Sequence, residues 1–369
     1  MHAELLDIGD ERWDALLATV QHDVDHLPAY LAAHDAFRGG VSQLVVVEDD
    51  VGALLVPLRI LRSDGGSLDA ASSEVRSAPL FTEGTPIEWR REAIRELLMF
   101  LRRRGVVSLF LRFHPLLDSS ASEFSRFGAV VEHGETFNIQ LDRPLDDIRA
   151  AMSKSHRRGI RKFQAAGYDY APDPEWESLA EFHAIYSHTM ERVGASDNFR
   201  FTLDYFERLR DTLSEHVSLW TLEVDGLLAM GSIVTECGGI VQGLYGAVNP
   251  EFYGEIPQIG AYDAEVQWAL ARRAQNYFFD GAAYESLRRF KAGITEHRPI
   301  ASSARIVIDP VEFGRQCAAW ELVAERRVAH ADDFFPPYRR PGVTAGGESH
   351  EVAEEALDRS ATIRDLAGS

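Results

Sequence analysis

The run from Val217 to Val248, VSLWTLEVDGLLAMGSIVTECGGIVQGLYGAV, sets the architecture of this chain. It parses into three β-rich runs, VSLWTLEVDG, LLAMGSIVTECGG and IVQGLYGAV, the first two closing on glycine. Runs so spaced predict neighbouring antiparallel strands. Downstream, AYDAEVQWALARRAQ has helical spacing, NYFFD is a short strand, and SARIVID is a final strand candidate. Upstream stand the helical stretches EWESLAEFHAIYSHTMERVG and TLDYFERLRDTL, and before them a helix ending near Gly167.

The beginning of the chain follows a related order. RWDALLATV has helical spacing, and SQLVVVEDDVGALLVPLRI reads as two β-rich runs joined by an acidic turn at Gly52. PIEWRREAIRELLMFLRRRG is an amphipathic helix stopped by Gly105, VVSLFLRFHPLL a buried strand ending at Pro115, and ETFNIQL a strand before Pro144. This partial duplication predicts an α/β (α+β) protein of two related domains, each a mixed, mainly antiparallel sheet flanked by helices. The first spans 1–142 and reclaims a C-terminal helix at 310–336; the second spans 143–309. From Arg339 the chain loses apolar periodicity, which predicts a flexible tail over 339–369.

Composition narrows the function. The chain has 369 residues and a formal net charge of −20, which argues against a general nucleic-acid coat but not against one local basic groove. Its only cysteines, Cys237 and Cys317, form no CxxC pair, so neither a disulfide framework nor a cysteine zinc site is expected. HDVDH sets His22 and His26 four apart, yet no third ligand is marked, and no metal is expected. The start, MHAELLDIGDERWDALL, lacks an apolar signal core, and no apolar run is long enough to cross a bilayer. A soluble cytoplasmic protein without membrane insertion is the expectation.

Against this acidic background MSKSHRRGIRKFQAAGYDY, residues 152–170, gathers Lys154, Arg157, Arg158, Arg161 and Lys162. On a helical wheel Ile148, Met152, Ile160 and Phe163 share one side, and Lys154, Arg157, Arg158 and Arg161 the other. A solvated face is the ordinary explanation. However, no Asp or Glu occurs between Asp147 and Asp169, whereas solvated helices usually mix signs at i,i+4. Uncompensated cations fit a phosphate-bearing ligand, either the acceptor stem of tRNA or the pyrophosphate of coenzyme A.

DVDHLPAYL, ALLVPL, FLRFHPLL and GETFNIQL in the first half, with MSKSHRRGIRKFQAAG, GLYGAV and RRFKAGI in the second, resemble the FemABX-like branch of the GNAT acyltransferase superfamily. The resemblance covers most of residues 1–335. It implies two tandem GNAT-like domains and an aminoacyltransferase that moves an amino acid from aminoacyl-tRNA onto an amine. In FFDGAAYESLRRFKAGI a strand runs into a Gly-containing loop that presents Arg288, Arg289, Phe290 and Lys291, and the resemblance implies that Lys291 of this Phe-Lys pair stabilises the oxyanion of ester aminolysis, while Phe290 walls the site against water. Arg289 joins Lys154, Arg157, Arg158, Arg161 and Lys162 as a phosphate contact. Two features depart from the family. Phe290–Lys291 continues as AGITEH rather than Phe-Gly, and a long helical-hairpin arm is absent. Both lean toward a small metabolite of a biosynthetic pathway, rather than a peptidoglycan precursor peptide, as amine acceptor.

His114 in LRFHPLL is a candidate base, with a histidine merely satisfying backbone groups as the alternative. Arg112 could hold a substrate carboxylate or pair with an acid of the protein. Tyr245, between Gly243 and Gly246, is either a ligand contact or a core tyrosine. The acceptor is expected in a cleft near Arg112, His114 and Tyr245, with no cofactor. Rival readings are an acyl-CoA-dependent N-acyltransferase and a non-catalytic tRNA- or peptide-binding module. IPQIGAYDAEV lacks the Q/R-x-x-G-x-G/A spacing that holds coenzyme A pyrophosphate in GNAT enzymes, which weighs against the first.

Overall fold

The computed structural model describes residues 1–62, 66–73, 76–282, 285–324 and 334–340. In chain order its strands are β1 (His2–Asp7), β2 (Ser42–Glu48), β3 (Ala53–Arg62), β4 (Leu68–Ser72), β5 (Leu80–Phe81), β6 (Val106–Phe113), β7 (Ala129–Glu135), β8 (Phe137–Gln140), β9 (Ala171–Asp173), β10 (Val217–Val224), β11 (Leu227–Cys237), β12 (Ile240–Val248), β13 (Asn276–Asp280) and β14 (Ile300–Val307). The helices are α1 (Glu11–Leu17), α2 (Pro28–Arg38), α3 (Ile87–Arg103), α4 (Ala121–Phe124), α5 (Leu145–Ala151), α6 (Lys154–Ala165), α7 (Leu179–Arg192), α8 (Leu203–Leu213), α9 (Ile259–Ala271), α10 (Glu285–Ala292) and α11 (Pro310–Ala324).

These elements form two compact units. One comprises Met1–Gly134 with the chain returning from Ala301; the other runs from Glu135 to Ile300. In the first, the sheet order is β1-β2-β3-β4-β6-β14-β7, with β5 on β3. The β1–β2, β2–β3, β3–β4, β3–β5 and β6–β14 pairs are antiparallel, and β4–β6 is parallel. α3 turns Trp89, Ala93, Ile94, Leu97, Phe100 and Leu101 inward at helical spacing, where they join Val45, Leu54 and Leu109 in one core. Gly105, at φ +79, ends that helix in a conformation costly for a side chain.

The second unit has order β8-β13-β12-β11-β10-β9. Its two hairpins turn on Asp225-Gly226 (φ 53 and 78) and Gly238-Gly239 (φ 56 and 77). Positive φ at both central residues matches the twist of the flanking strands, which is why these dipeptides sit between strand runs. β12 and β13 pair in parallel only from Ile240↔Asn276 to Gln242↔Phe278. A bulge at Leu244 then shifts the register of β12 against β11. Beyond Gln242 the two parallel strands therefore part, and the later half of β12 is laddered to β11 alone among the described residues.

Two strands draw the boundaries differently from the sequence reading. β8, expected at the end of the first domain (1–142), pairs with β13 of the second unit. β14, expected inside 143–309, lies between β6 and β7 of the first. A short apolar strand carries no mark of the sheet it will join. Of the expected helix 310–336, α11 covers Pro310–Ala324, and 325–333 lie outside the described residues. The expected tail begins with an anchored residue: Arg339 donates to the Asp69 carboxylate at 2.7 Å and to the Leu61 carbonyl at 2.8 Å. Residues 341–369 lie outside the described residues. Among the described residues no helix is long and apolar enough to cross a membrane.

Candidate active site

The Phe290–Lys291 pair sits on helix α10, not on a loop as expected from the glycine that precedes it. Lys291 is 1% exposed, and its ammonium donates to the carbonyl of Phe279 at 2.7 Å and to that of Gly281. The β13–β8 register passes from Phe278↔Asn138 to Asp280↔Phe137, leaving Phe279 unmatched on β8. That irregularity frees the Phe279 carbonyl from the ladder for Lys291. A buried ammonium needs such acceptors, because desolvation without them costs several kcal/mol, roughly, per charge.

α6 begins against the end of α10. The Ser153 amide donates to the Gly293 carbonyl at 2.7 Å, and Ser153 Oγ caps α6 by accepting from the His156 amide at 3.2 Å. His156 meets Phe290 edge-on at 4.8 Å, and its imidazole is held below the ordinary histidine range by burial. A side chain at Gly293 would come within 2.5 Å of the His156 ring, so this junction requires glycine. The apolar face of α6, Ile160 and Phe163, packs on α9, where Gly260 makes room for the Phe163 ring.

The expected basic face divides. Lys154, Arg158 and Arg161 are exposed and make no ion pair among the described residues. Arg157 instead donates to the carbonyls of Ala150, at 2.9 Å, and Met152, satisfying the end of α5. Lys162 reaches the Glu255 carbonyl at 3.1 Å, and Arg289 pairs loosely with Glu285 on the surface at 3.6 Å. The single helix read across 148–163 is also two helices, broken at Met152–Ser153, although Ile148, Met152, Ile160 and Phe163 do share one core.

The remaining candidates are otherwise occupied. His114 lies in the first unit, buried, with Nδ1 accepting from the Leu116 amide at 3.1 Å and Nε2 bonded to Asp23 Oδ2 at 2.9 Å. An imidazole accepting at Nδ1 carries its proton on Nε2, so no lone pair remains for a substrate proton, and the reading of His114 as base is corrected. Arg112, of the same unit, is buried over the Phe110 ring. Tyr245, in the second unit, is 2% exposed and bonds the Tyr205 hydroxyl at 2.9 Å amid Tyr186, Phe201 and Phe206. It is a core tyrosine. In HDVDH, His26 completes a capping box with Asp23 and contacts the Ala78 carbonyl, and burial pulls its pKa down to about 3.

One group escaped the sequence reading. Glu265 of α9 is 1% exposed, and its Oε1 accepts from the Tyr170 hydroxyl at 2.7 Å and the Ser232 hydroxyl at 2.8 Å. Oε2 accepts from the Tyr277 hydroxyl. Burial raises the Glu265 carboxyl above its ordinary range and, with the carboxylate nearby, pushes the Tyr170 and Tyr277 phenols up as well. Glu265, Tyr170 and Ser232 line a pocket with Met230, Gly246 and Tyr262, on the stretch of β12 that has parted from β13. Tyr262 also faces Phe290, with ring centroids 6.1 Å apart. The available signal was an acid within AYDAEVQWALA, a helix apolar on nearly every side.

Residues 150–294 match the family model described as "Acetyltransferase (GNAT) domain". Among curated proteins, none matches the sequence. FemX is similar in structure, with 13% identity, a TM-score of 0.66, and coverage of 85% of this chain and 99% of FemX. L-PGS from Bacillus licheniformis gives 14% identity and a TM-score of 0.55 over 83% of this chain and 95% of that one. A conserved protein of unknown function from Bacteroides thetaiotaomicron gives 12% and 0.57 over 83% and 100%. The match spans the basic helix, the Glu265 pocket and Phe290–Lys291. Residues 150–294 thus carry the match to a GNAT acetyltransferase domain, in a chain whose fold is similar to that of FemX.

Proposed function

We propose that this protein transfers an amino acid from aminoacyl-tRNA to an amine, forming an amide bond. The observation that carries this reading is the junction of α6 and α10. There the helix bearing Lys154, Arg158 and Arg161 starts on the Gly293 carbonyl, two residues beyond Lys291. A phosphate backbone along the exposed cations would bring its terminal ester toward that helix end. The acceptor amine attacks the ester carbonyl, a C–N bond forms, and the carbonyl oxygen becomes an oxyanion. Lys291, held by two carbonyls, supplies a preorganised positive charge worth roughly 3 kcal/mol at such an oxygen. The C–O bond then breaks, and the amine proton leaves with the ribose oxygen as a hydroxyl. The ester is already activated, so the step needs no metal. A charged-tRNA donor also locates the reaction in the cytoplasm. The acceptor on this reading is a small metabolite or a peptide amine.

The second reading, acyl transfer from a coenzyme A thioester, draws on the GNAT family match. Against it stands the start of α9, where Gln258 and Gly260 lack the pyrophosphate-binding spacing. Incubation with charged tRNA, labelled amino acids and a pool of amines separates the two. Ribonuclease-sensitive product without coenzyme A thioester supports the first; thioester-dependent, ribonuclease-resistant product overturns it. A pure binding module would keep its affinity for tRNA or peptide in Lys291→Ala, with no turnover in either protein.

A further inference from the structure

We propose that the Glu265 pocket is the subsite for the α-ammonium group of the amino acid being transferred. This assignment rests on the aminoacyl-transfer reading and names the part of the donor that the second unit recognises.

A count of protons motivates it. Tyr170, Ser232 and Tyr277 bring three hydroxyl protons. They must serve four short contacts: Tyr170 with Ser232 at 2.6 Å, Tyr170 with Glu265 at 2.7 Å, Ser232 with Glu265 at 2.8 Å, and Tyr277 with Glu265. With Glu265 ionised, one contact lacks a proton. The cluster is therefore acceptor-rich, and either Glu265 keeps a proton or a donor enters from outside. An ammonium brings three donors and the charge that a desolvated carboxylate lacks.

The pocket admits such a donor. Its volume is about 30 Å3, enough for a group of water or ammonium size. Gly246, partly exposed, lines it, and a Cβ there would meet nothing closer than 3.8 Å. Met230 and Val248 give it an apolar flank. Tyr262 forms one wall and faces Phe290, the neighbour of Lys291. With the ammonium on Glu265, the ester carbonyl, one carbon away, would lie in the same pocket beside Tyr262. The competing account, a protonated Glu265 that only ties α9 to the sheet, predicts no charge-selective ligand.

The test titrates the full chain with L-alaninamide and with L-lactamide, its near-isostere carrying a hydroxyl in place of the ammonium, by calorimetry in buffers of different ionisation enthalpy. Alaninamide should bind with proton release, and lactamide should bind at least about tenfold more weakly. Glu265→Gln should weaken alaninamide by about tenfold or more. Gly246→Val, which fills the pocket and leaves the carboxylate intact, should abolish alaninamide binding and keeps the test decisive if Glu265→Gln fails to fold. Equal binding of the two amides, no alaninamide binding to the wild-type chain, or unchanged binding in Gly246→Val overturns the proposal. No tRNA enters these titrations. Ribonuclease-sensitive transfer without alaninamide binding removes the subsite alone; alaninamide binding without tRNA-dependent transfer removes the donor reading alone.

Discussion

Lys291 combines two demands on one ammonium: it satisfies main-chain carbonyls, and it is the proposed electrostatic partner of the reaction. Lys291→Met should lower single-turnover transfer by roughly 10²–10³-fold. It should also cost about 1–3 kcal/mol in denaturant unfolding, because the carbonyls of Phe279 and Gly281 lose their partner. Unchanged transfer in a folded variant would remove Lys291 from the chemistry. Glu265 makes a prediction in pH. Its folded-state pKa is raised, so the native state holds the proton longer than the unfolded chain. Stability is then full below the ordinary glutamate value and is lost as pH rises through the raised one. Glu265→Gln removes that slope, so unfolding curves at about pH 5 and about pH 8 should favour the variant more at the higher pH. The Phe-Lys pair was legible as a local string. Glu265 was not, since its significance lies in Tyr170, Ser232 and Tyr277, residues far apart in the chain. His114 misled for the matching reason: the Asp23 carboxylate that takes its Nε2 lies 91 residues earlier in the chain.

Helix α6 shows how far periodicity reaches. Its amphipathic pattern correctly separated the buried Ile160 and Phe163 from the cations, because burial of an apolar stripe follows from helical geometry alone. It could not tell which cations remain available, since that depends on where α5 ends. Arg158→Ala with Arg161→Ala should weaken tRNA binding and flatten the log–log salt dependence by roughly one to two units. Arg157→Ala should leave that slope nearly unchanged and cost about 1 kcal/mol of stability, as the α5 carbonyls lose their donor. Binding measured across a salt series, with unfolding alongside, reads both; an unchanged slope in the double variant would return this face to ordinary solvation. The hairpin strands β10, β11 and β12 were legible because Asp-Gly and Gly-Gly turns punctuate them. β9, three residues long, and β5, two residues long, carry too little pattern to be seen.

At the scale of the molecule, the first unit is discontinuous. The duplication of helices and strands was legible, but the exchange of β8 and β14 was not, because sheet membership is a matter of long-range pairing. Residues 135–300 hold every strand of the second sheet and should melt cooperatively as a separate fragment. A fragment of residues 1–134 lacks β14, the strand between β6 and β7, and should show no cooperative transition by calorimetry. Cooperative melting of that shorter piece would mean that β14 is dispensable. The same crossing has a bearing on synthesis. A ribosome delivers the N-terminal strands first, yet their sheet must wait for a segment more than 160 residues further along the chain. The inserted half emerges whole in the meantime and can fold ahead of the half that was begun before it. Nascent chains stalled so that residue 300 has just left the ribosome should therefore protect the later-made half from protease while the earlier-made one is still cut.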